Sequence, residues 1–78
     1  MPVVRFFAQA RDAAGTASER LPGSTVDEVL EAAGSTHGDR FTAVLSTCRV
    51  WVNGEPAVGS DPVADDDEVA VLPPVSGG

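Results

Sequence analysis

Thr25-Val26-Asp27-Glu28-Val29-Leu30-Glu31-Ala32-Ala33-Gly34 is the stretch that decides the fold. Thr25 and Glu28 stand three apart, the spacing of a capping box in which hydroxyl and carboxylate each satisfy a backbone donor of the other residue at a helix start. Val26, Val29, Leu30 and Ala33 then recur at i, i+3, i+4 and i+7, one apolar stripe on a 3.6-residue period. Gly34 is expected to stop this helix, because glycine is the preferred residue just past a helix end.

Outward from the helix the period changes to two. Residues 3–8 are β-branched and aromatic, with Val4, Phe6 and Ala8 on one face and Val3, Arg5 and Phe7 on the other, and predict a strand. Residues 9–15 are polar and end in glycine, and residues 16–21 alternate weakly, which predicts a hairpin return closed by Pro22-Gly23. Beyond the helix, residues 35–39 read as loop and residues 40–45 as a short helical turn with Phe41, Val44 and Leu45 inward. Residues 48–53 alternate again, and Asn53-Gly54 is a tight hairpin signal. Residues 59–67 are turn-rich and acidic, and residues 68–72 make the last strand. Strands interrupted by one dominant helix predict an α+β domain, a mixed sheet with the helix packed on one face. If Val4, Phe6, Val50, Val52, Val69 and Val71 pack on the helix, parity places Phe7, Trp51 and Leu72 on the open face, where contiguous apolar groups mark a docking surface. Reversing the parity of the first strand would bury Phe7 instead.

The 78 residues are expected to form one domain, 1–78, with 73–78 as an extended tail. Twelve carboxylates stand against five cations, all arginine, for a net charge of −7. Binding a phosphate backbone needs clustered Lys and Arg, so nucleic acid is not an expected partner; the sign favours a basic protein. A single cysteine excludes an intramolecular disulfide. No signal-peptide layout and no apolar run of membrane-spanning length occur, so no membrane association is expected and a reducing cytoplasm fits. Catalysis requires converging groups, and one His, one Cys, no Lys and no Tyr supply no nucleophile-base pair. His37, between Thr36 and Gly38, reads as a solvated loop residue, Cys48 as a small buried thiol, and Asp65-Asp66-Asp67-Glu68 as a solvated acidic turn.

The sequence closes on Leu72-Pro73-Pro74-Val75-Ser76-Gly77-Gly78. Two residues without a Cβ give the thinnest main chain available, able to enter a passage that a side chain would block. Pro73 and Pro74 favour an extended stem, so six residues could project roughly 20 Å at ~3.3 Å each. The α-carboxylate of Gly78 is then presentable to the active site of another protein. The bland alternative is a frayed terminus.

Taken together, Phe6-Phe7-Ala8-Gln9-Ala10-Arg11, the capped helix at 25–30, Val52-Asn53-Gly54-Glu55 and the stretch from Asp67 to Gly78 resemble the ubiquitin-like sulfur carriers, and most closely the MoaD family, the small subunits of molybdopterin synthase. The thiamine-pathway carriers share the Gly-Gly end but are less similar through the proline-bearing tail. The resemblance implies a β-grasp fold and no cofactor bound by the chain itself. It implies that an ATP-consuming E1-like adenylating enzyme (MoeB-like) activates Gly78, and that sulfur from a sulfurtransferase or cysteine desulfurase converts it to a thiocarboxylate. It further implies that Pro73, Pro74, Val75, Ser76 and Gly77 insert into the large subunit (MoaE-like), where sulfur passes to cyclic pyranopterin monophosphate, and that Phe7 and Leu72 meet the partners. Catalytic groups are then expected on the large subunit. Asp66 stands where the family usually has glycine, and Pro56 replaces an apolar contact residue. Carriers for thiamine, cysteine or transfer-RNA thiolation, a protein modifier conjugated through Gly78, and a plain interaction module remain as alternatives.

Overall fold

The computed structural model describes residues 1–74. The elements run β1 (Val3–Phe6), α1 (Ala8–Ala14), β2 (Ser18–Arg20), α2 (Val26–His37), α3 (Asp39–Leu45), β3 (Arg49–Val52), β4 (Glu55–Pro56) and β5 (Glu68–Leu72). The strands form one sheet in the order β2-β1-β5-β3-β4. β1 and β5 are parallel at the centre and every other pair is antiparallel. This is the α+β, β-grasp arrangement expected from the sequence.

Register fixes which side chains share a face, since residues directly opposite one another point the same way. Val4 pairs Val69, Phe6 pairs Val71, and on the other side of β5 Val50 and Val52 pair Val71 and Val69. All six belong to the core, with Val4, Phe6, Val69 and Val71 buried and Val50 and Val52 partly so. The three helices close the same side, α1 through Ala10, α2 through Val26, Val29 and Ala33, and α3 through Phe41. The predicted strand parity therefore holds, except at Ala8, which leaves the strand and is exposed.

The hairpin return expected over residues 9–15 is wrong, because residues 8–14 form α1 instead. Ala, Gln and Arg are good helix formers, and Gly15, in the left-handed region at φ 75°, caps the helix by donating its N–H to the Arg11 carbonyl. β2 is accordingly shorter than residues 16–21, although it still pairs with β1. The dominant helix starts where predicted, with Thr25 Oγ1 accepting from the Glu28 N–H at 3.2 Å. The reciprocal half is displaced by one residue: the Glu28 carboxylate accepts from the N–H and hydroxyl of Ser24, both at 3.0 Å. These donors hold the Glu28 carboxyl below its ordinary pKa, the Ser24 backbone N–H foremost.

Gly34 does not stop the helix, which continues to His37. A Cβ at position 34 would lie 3.0 Å from Thr42 Oγ1, so the glycine lets α2 and α3 approach closely. The segment 35–39 is helical except at Gly38, not loop. The turn expected at 40–45 is α3, beginning one residue earlier, with Phe41 buried and Val44 and Leu45 packed against the core. Nor is His37 solvated. Only 11% of its side chain is exposed, its ring lies 5.7 Å from Phe6 and 5.2 Å from Phe41 between centroids, and Nε2 pairs with the Glu19 carboxylate. Glu19 sits opposite Val4 in β2 and so points to the helix side.

Candidate functional site

The open face of the sheet follows from the same register. Arg5, Ala70 and Trp51 lie in one row, Val3 pairs Glu68, and Leu72 pairs Arg49. Leu72 ends the central strand, and Pro73 and Pro74 continue from it, the first half-buried and the second exposed. Val75, Ser76, Gly77 and Gly78 lie outside the described residues. The stem expected to carry the terminus thus springs from the middle of the sheet, and any pull on it is resisted by ladders on both sides of β5.

Phe7 follows the last residue of β1 and is 40% exposed, against 2% for Phe6. Its N–H donates to the Val71 carbonyl at 3.2 Å, which extends the parallel ladder by one step and brings Phe7 alongside Leu72 at the root of the stem. The chain then turns into α1 through Ala8, whose φ of 50° lies in the left-handed region. An alanine there is strained by about 1–2 kcal/mol, so the sharp turn that aims Phe7 outward is held by its surroundings. The strand-to-helix turn was missed from sequence because an alanine gives no turn signal.

The acidic turn before β5 is built rather than merely solvated. Asp67 accepts from the Ala64 N–H at 2.8 Å and from the Asn53 amide at 2.8 Å, and Asn53 Oδ1 in turn accepts from the Glu68 N–H at 2.9 Å. These bonds hold the Asp67 carboxyl below its ordinary value, the Ala64 N–H contributing most. Asp65 is likewise held down, by the hydrogen bond and the charge of the N-terminal ammonium. Asp66, where the resemblance would have glycine, does not adopt a positive φ, so the turn does not need glycine there. Asn53 and Gly54, with φ of 51° and 83°, form the expected tight turn between β3 and β4. Pro56 sits in β4, opposite Trp51.

Among the described residues no other constellation competes with this region. A groove of about 280 Å3 between α2 and the β3-β4 edge is lined by Leu30, Cys48, Val50 and Ala57 among others. Its thiol donates to the Val44 carbonyl at 3.3 Å, and burial raises its pKa, which keeps it protonated and a poor nucleophile. Among the described residues no group of three or more His, Cys, Asp or Glu gathers in a way that could hold a metal ion. No helix among them is long and apolar enough to cross a membrane.

A five-stranded β-grasp sheet, helices on one side and its last strand feeding a Pro-Pro-Val-Ser-Gly-Gly sequence, defines a ubiquitin-like protein. The ThiS family matches residues 4–78, and the chain belongs to that family of ubiquitin-like sulfur carriers. Among solved structures it is similar to SAMP1, a small archaeal modifier protein, from Haloferax volcanii, at 30% identity and TM-score 0.80 over 97% of each chain. It is similar to a chain of the Amycolatopsis orientalis BexX/CysO complex, at 25% identity and TM-score 0.83 over 100% of each. It also matches a chain of the complex of subunits 1 and 2 of the molybdopterin-converting factor from Helicobacter pylori, at 25% identity and TM-score 0.70 over 97% of this chain and 96% of that one.

Proposed function

We propose that this sulfur carrier is the small subunit of a molybdopterin synthase. In this reading the Gly78 carboxylate attacks the α-phosphate of ATP on an E1-like activating enzyme, releasing pyrophosphate and forming an acyl-adenylate. The outer sulfur of a persulfide carried by a sulfurtransferase or cysteine desulfurase displaces AMP to give an acyl disulfide. Attack of a thiol on its distal sulfur then breaks the S–S bond, releasing the thiocarboxylate and leaving a disulfide. The segment 73–77 then carries the terminus into the large subunit, where sulfur passes to cyclic pyranopterin monophosphate in the cytoplasm and the carboxylate is regenerated. The observation that carries the reading is the placement of Phe7 beside Leu72 at the root of the stem, on the sheet face that the helices leave open. A carrier needs such an arrangement, because the partner must grip the body while it receives the end. The Leu-Pro-Pro-Val-Ser-Gly-Gly sequence and the likeness to a chain of a molybdopterin-converting complex support this pathway, while the likeness to a chain of the BexX/CysO complex supports a carrier for another thiolation equally.

The likeness to SAMP1 favours a second reading, a protein modifier in which the same activated Gly78 is attacked by a lysine of another protein. Incubation with ATP, the activating enzyme and a sulfur source separates the two. A carrier gains in intact mass the difference of one oxygen-to-sulfur exchange and yields molybdopterin when the large subunit and precursor are added. A modifier instead gives a ladder of conjugates in lysate, and that outcome without molybdopterin would reject the first reading.

A further inference from the structure

Although the chain carries a net charge of −7, its charges are not evenly spread. The acids gather on α2, at Asp27, Glu28 and Glu31, and in the turn at Asp65, Asp66 and Asp67. Three of the five cations gather on the open face. Arg5 and Arg49 share that face with Trp51, Ala70 and Leu72, and Arg20, opposite Val3 in β2, shares it as well. Against these three arginines the strands set a single carboxylate there, Glu68, 3.4 Å from Arg5 Nε. Two of the three are held in place: Arg5 by that ion pair and Arg20 by donating from Nη1 to the Met1 carbonyl at 3.1 Å. Arg11 joins Arg5 and Phe7 around a cleft of about 240 Å3 at the same corner.

We infer that the protein surface received by this face is acidic, with carboxylates placed against Arg5, Arg20 and Arg49, the opposite of what the net charge implies. This rests on the reading of Phe7 and Leu72 as the docking center. Salt limits the reach of the overall charge to about 8 Å under physiological conditions, so charges in direct apposition govern the docked state while the distant acids on α2 contribute little. Like charges brought face to face across an interface are strongly disfavoured, and a basic partner surface would meet three guanidinium groups.

The test measures the affinity of the full chain for the purified large subunit of molybdopterin synthase from the same organism, for wild type, Arg49→Glu and Phe7→Ala, with melts to verify that each variant is folded. An acidic partner surface predicts that Arg49→Glu weakens binding roughly tenfold and that raising NaCl from about 50 to about 500 mM weakens the wild type more than the variant. Tighter binding by Arg49→Glu, or no change, while Phe7→Ala still weakens it, would overturn the charge assignment and leave the docking face intact. If neither variant alters binding, or the wild type does not bind, the docking reading fails and the inference with it.

Discussion

Phe6 and Phe7 are adjacent, identical and opposite in fate. Phe6 is 2% exposed, its ring edge-on to Phe41 at 5.4 Å and to His37 at 5.7 Å, while Phe7 is 40% exposed beside the root of the stem. What separates them is the two-residue period of a strand, which sends one side chain under the helices and the next to the open face. One face of the sheet therefore supplies stability, and the other is the face proposed to meet a partner. In a domain this small a single core contributes only a few kcal/mol beyond the entropy cost, so the chain has little apolar surface to spare, and an exposed phenylalanine costs it core.

The largest effect should come from the buried member of the pair. Phe6→Ala removes a ring from the center of the core and is expected to cost about 3–5 kcal/mol, enough to leave little folded protein when total stability is near the lower end of the usual range. Chemical denaturation measures it, and a small loss would show that the helix-side face is not what holds the fold. Next, Phe7→Ala should leave the melt nearly unchanged and weaken association with the large subunit by roughly 1–3 kcal/mol, the range for an anchor residue. A collapsed Phe7→Ala beside a stable Phe6→Ala would reverse the comparison.

The smallest effect lies at the far end of β5, in the turn that Asp67 closes. Its carboxyl is held below the ordinary value of 3.8 by bonds that exist only in the folded chain. The folded state thus prefers the ionised form, and this contribution is present above the unfolded pKa and lost as pH falls through the lowered one. Asp67→Asn should show slightly lower stability at neutral pH and a shallower loss below about pH 3.8, read from melts in acid. An acid profile identical to wild type would mean that the turn is not maintained by this carboxylate.

Much of this division was legible in the sequence because it rests on local periods. Val4 and Phe6, Val50 and Val52, and Val69 and Val71 alternate visibly, and Thr25 with Glu28 marks the start of α2. Readings failed where a distant contact overrode a local signal. Gly34 looks like a helix stop, yet Thr42 on α3 takes up the room a Cβ would need, and the helix runs on. His37 looks solvated between Thr36 and Gly38, yet Glu19, eighteen residues earlier, and two phenylalanines enclose it. The clustering of arginines on one face was hidden because Arg5, Arg20 and Arg49 come from three strands and meet only through the sheet order. The stem residues Pro73 and Pro74 were readable in themselves, whereas their origin at the center of the sheet beside Phe7 required the parallel pairing of β1 with β5.

Deletion of Gly78 tests the account most directly. The carboxylate proposed to react would recede by ~3.3 Å, well beyond the ~1 Å misplacement that can already slow a positioned reaction a hundredfold, while every core residue remains. Molybdopterin formation, assayed with the activating enzyme, sulfur source and large subunit, should vanish with the melting temperature unchanged. Molybdopterin formed at the wild-type rate by the truncated chain would contradict the assignment of sulfur transfer to its terminal glycine.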